Sequence, residues 1–146
     1  MRALKMIFAF ISASILVTVC VFASKYDEPI MLSVPSCGID VECEFVANGH
    51  NLQPVIDKQN VAAWYPPYIF DHAGQDFYGL WDISVGDEVV FGDVIYACSF
   101  ITTGYSCDGI TAKDGEKSPK ADMYLCTCVP DGEQYEIYII GIDKER

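Results

Sequence analysis

Two residues in this chain suit covalent chemistry, a cysteine at the end of one apolar run and a histidine at the end of another. The run Tyr124-Leu125-Cys126-Thr127-Cys128-Val129-Pro130 has a strand's composition and stops at a proline. That places Cys128 at the strand's C-terminal end, bordering a loop rather than a deep core. The period of two in a strand puts Tyr124, Cys126 and Cys128 on one face. A thiol attacks as the thiolate and needs a neighbouring base or positive charge to reach that form near neutral pH. The chain has two histidines. His50 lies in Asn48-Gly49-His50-Asn51, a turn-like context that fits a surface histidine. His72 closes the run Tyr68-Ile69-Phe70-Asp71-His72 ahead of Ala73-Gly74, at the mouth of the fold. Taken singly, His72 also suits a structural role and Cys128 a disulfide. A Cys-x-Cys pattern with two unplaced histidines is a weak metal signal, and neither a metal nor a cofactor is assigned.

The elements that must carry these residues read as short strands rich in Val, Ile, Tyr and Phe, separated by Gly, Asp and Pro. The pattern predicts strands near Ile30 to Val34, Ile39 to Phe45, Tyr68 to His72, Glu88 to Phe91, Val94 to Thr102, Asp122 to Val129 and Gln134 to Ile142. Ser84-Val85-Gly86-Asp87 reads as a turn into a strand, and Phe91-Gly92-Asp93-Val94 as a tight hairpin. Asn51 to Ala63 carries a partial apolar face for one short helix, with Pro54 near its start. The Gly-, Lys-, Asp- and Ser-rich stretch Asp108 to Lys120 reads as a loop. Strands at this spacing predict an all-β barrel or sandwich. The aromatics of Trp64-Tyr65-Pro66-Pro67-Tyr68 and Trp81 suit core packing and turns more than the lining of a groove.

Ahead of these elements, Arg2 and Lys5 precede an uninterrupted apolar run from Met6 that ends at Val21-Phe22-Ala23, and acidic Asp27 and Glu28 follow it. This is the pattern of an export signal, and both a cleaved leader and a membrane anchor over residues 6–23 fit it. Basic flank before and acidic flank after put the C-terminal part outside the membrane, extracellular or on the cell surface. Residues 24–146 are then one domain. The chain carries a net charge of -12, and removing Arg2 and Lys5 with the leader makes the remainder more acidic still. That charge argues against nucleic acid as a partner and against docking on an anionic membrane through a basic patch, so membrane contact is confined to the N-terminal segment. Beyond the leader lie Cys37, Cys43, Cys98, Cys107, Cys126 and Cys128, an even set that fits a disulfide framework. Closeness in sequence across likely turns predicts Cys37 with Cys43 and Cys98 with Cys107, leaving Cys126 and Cys128 as thiols.

Three stretches, in order, resemble the sortase family, the extracellular cysteine transpeptidases of mainly Gram-positive bacteria. Leu32-Ser33-Val34-Pro35 leading to Gly38-Ile39-Asp40-Val41 is similar to the opening of a sortase domain. His72, followed by Phe77, Leu80, Ile83 and Val85-Gly86-Asp87-Glu88-Val89, resembles the family's histidine, apolar spacer and Gly-Asp turn. Tyr124-Leu125-Cys126-Thr127-Cys128 resembles the signature Thr-Leu-any-Thr-Cys with its first Thr replaced. The resemblance implies a closed barrel of about eight strands with one or two short helices. It implies that Cys128 attacks a backbone carbonyl of a sorting-signal peptide and that His72 protonates the leaving amine. An amine of the cell wall or of another protein would then resolve the thioester. The family's arginine at the start of the last strand is missing, since no Arg lies between Arg2 and Arg146. Alignment puts Glu136, or with a small shift Gln134, at its place. A carboxylate there opposes a developing oxyanion, whereas Gln134 offers a neutral donor and Lys113, Lys117 or Lys120 a mobile positive charge. The rival reading is a catalytically degenerate, disulfide-bonded barrel that serves as a binding or structural module, and the oxidation state of Cys128 separates the two.

Overall fold

The computed structural model describes residues 29–104, 119–129 and 136–146. The export segment, Cys107, Lys113, Lys117 and Gln134 therefore lie outside the described residues. Among the described residues, no helix is long and apolar enough to cross a membrane.

The strands are β1 (Ile30–Val34), β2 (Ile39–Phe45), β3 (Val61–Tyr65), β4 (Tyr68–Phe70), β5 (Glu88–Phe91), β6 (Val94–Gly104), β7 (Met123–Cys128) and β8 (Ile137–Lys144). They close into a barrel in the order β1-β2-β3-β4-β7-β8-β6-β5. The β2–β3 and β4–β7 pairs are parallel and the other pairs antiparallel. Closure leaves no open sheet edge among the described strands. The expected closed eight-stranded barrel is what forms.

Alternation explains most of these strands. In β2, Ile39, Val41 and Cys43 are buried while Asp40, Glu42 and Glu44 face water. They join Leu32, Val34, Ile69, Leu80, Val89, Leu125, Ile140 and Ile142 in one interior cluster. Each such side chain contributes about 1.5–3 kcal/mol on burial, so a one-residue slip in register, which would turn the whole set outward, is strongly disfavoured.

The helical expectation over Asn51 to Ala63 is corrected in its second half. A 3-10 turn over Gly49–Asn51 leads into α1 (Leu52–Ile56), and the chain then extends as β3. Ala62 and Ala63 favour helix by propensity, but both are fully buried between β2 and β4, and tertiary packing prevails over a weak local preference. The expected turns form. Asp87 caps Ser84-Val85-Gly86 by accepting the Ser84 N–H at 3.0 Å, and β5 and β6 pair directly across Gly92-Asp93.

The expected Cys37–Cys43 pair does not form, and the expected Cys98–Cys107 pair involves Cys107, which lies outside the described residues. Cys37, Cys43 and Cys98 are free thiols. Cys37 lies in the 3-10 turn between β1 and β2, and Cys43 pairs with Ile30 at the far end of that hairpin. Four residues of strand beyond Ile39 amount to about 13 Å, whereas a disulfide needs Cα atoms within roughly 7 Å. Nearness in sequence became distance along a strand.

Candidate active site

The parallel β4–β7 pair builds the site. Tyr68 is in register with Tyr124, Ile69 with Leu125 and Phe70 with Cys126. The two segments stay together past the ladder, because the Asp71 N–H donates to the Cys126 carbonyl at 3.3 Å and the Thr127 hydroxyl donates to the Asp71 carbonyl at 2.8 Å. Continuing the register brings His72 alongside Cys128. Ile69 and Leu125 point into the barrel, so alternation turns Phe70, His72, Cys126 and Cys128 to its outer face.

On that outer face Cys126 and Ile139 are buried beneath Tyr68, Phe70, Tyr124 and Ile137. Tyr68 stacks on Tyr124 with ring centroids 5.2 Å apart, and Tyr124 meets Phe100 edge-on at 6.3 Å. Phe100 lies over Gly141, where an added Cβ would come within 2.1 Å of the ring. The glycine is needed for this close approach. An open cleft of about 570 Å³ adjoins this floor, lined by Tyr65, Tyr68, Phe70, Leu52 and His50 among others. His50, read from sequence as a surface histidine in a turn, sits in that turn with its N–H bonded to Asn48 Oδ1 and also borders the cleft. Trp64 is a packing residue, edge-on to both Phe45 and Phe91.

The cysteines differ sharply in access. Cys128 is exposed, the only cysteine among the described residues that is. Burial pushes the Cys43 thiol up to about 12 and the Cys98 thiol up to about 11, with nearby Asp71 and Asp87 respectively adding to the effect. Such thiols stay protonated and inert. Cys126, on the same face as Cys128, is buried.

His72 has a partner that the sequence did not suggest. Its Nε2 lies 3.1 Å from Oδ1 of Asp57, the residue that ends α1. The same oxygen accepts from Gln53 Nε2 at 2.7 Å. The His72 bond first, and then the Gln53 bond, hold the Asp57 carboxyl below the usual range. Asp57 is itself held in place. With its side-chain nitrogen turned toward them, Gln75 donates to the carbonyls of Ile56 at 3.3 Å and Lys58 at 3.1 Å, and Lys58 pairs with Glu44 on β2. Behind His72, Asp71 is 3 % exposed, and its Oδ1 accepts the His72 N–H at 2.6 Å. Burial, as the largest cause, pushes this carboxyl up to about 7.

Of the residues proposed from sequence around the oxyanion, Glu136 is 7 % exposed and immediately precedes β8, whose Ile137 pairs with Cys128. Its carbonyl accepts the Val129 N–H at 3.3 Å. Lys120 is exposed and precedes the opposite end of β7, with the whole strand between it and Cys128. Among the described residues, no group of three or more His, Cys, Asp or Glu side chains is placed to hold a metal.

No family model matches the sequence, and no curated protein matches it. Solved structures do. Sortase E1 from Streptomyces coelicolor, solved with a tripeptide in the active site, is 15% identical over 81% of this chain and 88% of that one, with a TM-score of 0.61. Sortase A from Corynebacterium diphtheriae is 16% identical over 81% of this chain, with a TM-score of 0.57. Sortase C-3 from Streptococcus pneumoniae is 19% identical over 82%, with a TM-score of 0.57. This chain spans 60% of the Corynebacterium protein and 65% of the Streptococcus one. At such identities the likeness is one of fold, and the fold is that of sortases in a divergent form.

Proposed function

We propose that this chain is a sortase-like cysteine transpeptidase or peptidase, with Cys128 as nucleophile and His72 as acid and base. The observation that carries the reading is that β7 ends at an exposed thiol while its parallel partner β4, in register with it as far as Phe70 and Cys126, leads on to His72, in a sortase-like barrel whose Tyr68 and Phe70 line an open cleft. In this mechanism the Cys128 thiolate attacks a backbone carbonyl of a sorting-signal peptide held along the cleft. The S–C bond forms as the C–N bond breaks, and imidazolium His72 gives its proton to the departing amine. An incoming amine, or water, then attacks the thioester and passes its proton to His72, and the thiolate leaves.

Asp57 is the orienting partner in this scheme. By accepting from Nε2 it keeps that nitrogen protonated, so the other ring nitrogen is the one that exchanges protons at the reacting centre. The tetrahedral oxyanion needs donors. The Val129 N–H is committed to Glu136, and the Glu136 carboxylate would oppose the charge, so Gln134 is assigned the neutral donor's role. Lys120 is the weaker candidate because it stands at the far end of β7. The acceptor is an amine of the cell wall or another protein, and the acidic chain favours a cationic one. The domain works outside the membrane, released or tethered through residues 6–23.

The test is capture of the acyl-enzyme. Incubating the chain with a library of sorting-signal peptides should give, by mass spectrometry, an adduct on Cys128 that hydroxylamine releases and Cys128→Ala abolishes. A fully active peptide cleavage in Cys128→Ala would overturn the reading.

A further inference from the structure

Asp71 is bonded on all sides but one. Its N–H and carbonyl hold β7 through Cys126 and Thr127, and its Oδ1 holds the His72 N–H. Its Oδ2 is buried and has no donor. Five residues on, in the turn that follows His72, Asp76 has an Oδ2 in the same condition, and its side chain is one of the groups that act on the Asp71 carboxyl. Two carboxylates are both acceptors and cannot bond, and each buried, unpaired charge is strongly disfavoured. One proton between them resolves both problems.

We propose that Asp71 and Asp76 are a buried carboxyl pair that shares one proton, and that this pair positions His72 against the strand carrying Cys128. The groups around Asp71 are the Cys43 thiol from β2, the Thr127 hydroxyl from β7, Asp76 from the turn, and His72, whose Nε2 is engaged by Asp57. Burial above all pushes the Asp71 carboxyl up to about 7, opposed by the His72 N–H and reinforced by the charge of Asp76. While the proton is present, the turn closes on the end of β4 and His72 is held. Loss of the proton sets two negative charges against each other behind the imidazole and loosens that turn. The positioning half rests on the reading of His72 as the acid–base group, whereas the proton sharing does not.

The experiment is a pH titration, from about pH 4 to about pH 9, of the full chain with carbon-labelled aspartate carboxyls and labelled histidine, followed by nuclear magnetic resonance. One aspartate carboxyl should keep its proton to near neutral pH, and the His72 ring should show an inflection at that same pH. In Asp76→Asn the second charge is gone and the amide donates to Asp71 Oδ2, so that carboxyl should lose its proton at a lower pH than in wild type, with burial still holding it above the ordinary range, and the His72 inflection should move down with it. Wild-type carboxyls that all titrate in the ordinary range would overturn the shared proton. A His72 ring indifferent to the carboxyl's titration would overturn the positioning role. Neither result depends on catalysis, so an unreactive Cys128 would sink the transpeptidase reading without altering what the titration says of the pair.

Discussion

The imidazole of His72 and the carboxylate of Asp57, 3.1 Å apart, join the end of β4 to the end of the only α-helix among the described residues. Through this contact a short surface helix, otherwise only a crossover between β2 and β3, becomes part of the candidate site. Both side chains are partly open to water, so the bond orients the ring and adds little to stability.

Asp57→Asn should therefore leave the unfolding midpoint nearly unchanged while slowing peptide cleavage by about tenfold, a fraction of the roughly 100- to 10,000-fold attributable to a general acid–base group. The loss should appear in kcat rather than KM. Because His72 holds the Asp57 carboxyl below the usual range, this contribution is present above the ordinary aspartate value and is lost as pH falls through the depressed one. Steady-state kinetics of wild type and variant across that acid range checks both points.

Stability should depend on pH with the opposite sign at Asp71. Its carboxyl is raised to about 7 in the folded protein, so the folded state keeps a proton that the unfolded chain releases from about pH 4 upward. The stabilisation from that proton is complete below the unfolded value and is lost as pH rises through about 7. Thermal unfolding of wild type minus that of Asp71→Asn, compared at several pH values, should show this decline and then a plateau.

Thr127→Val keeps the side-chain volume and removes the hydroxyl that donates to the Asp71 carbonyl at 2.8 Å. Leaving that buried carbonyl one donor short should cost about 1–3 kcal/mol. It should also slow alkylation of Cys128, since the bond keeps β4 and β7 together just before the two reactive residues. Urea unfolding and thiol labelling of the same variant measure the two effects.

How far the site could be read from the sequence depended on whether its geometry follows from local pattern. The alternation in Ile39-Asp40-Val41-Glu42-Cys43 announced β2, and Gly92-Asp93 announced the hairpin between β5 and β6. Cys128 could be placed at a strand end by Pro130, and on the face of Cys126 by period alone. What brings His72 beside it is the parallel pairing of β4 with β7, a long-range register that no periodicity encodes. The family resemblance implied only that the two residues act together. β3 was hidden because Ala62-Ala63 prefers helix while the barrel buries it as strand. Asp57 gave no signal, being a polar residue among Gln53, Lys58 and Gln59 on an exposed helix end. The Cys37–Cys43 pairing failed because distance along a hairpin is not distance in sequence.

The outer floor of the site offers an independent check on packing. Gly141→Ala drives a methyl group into the Phe100 ring, and overpacking of this kind costs about 1–3 kcal/mol. The displaced ring disturbs Tyr124, its edge-on neighbour. Combining the substitution with Phe100→Leu should restore part of the loss, so denaturant unfolding of the double variant should show less destabilisation than the sum of the singles.

Whether Cys128 is a nucleophile activated by His72 is decided by the rate at which a small alkylating reagent labels each cysteine of the folded, non-reduced protein across a pH range. Activation by His72 requires rapid labelling confined to Cys128, slowed in His72→Ala, with Cys43 and Cys98 protected until unfolding. Cys128 found in a disulfide, or labelled at the same rate with and without His72, would rule that activation out and turn the reading toward a binding or structural barrel.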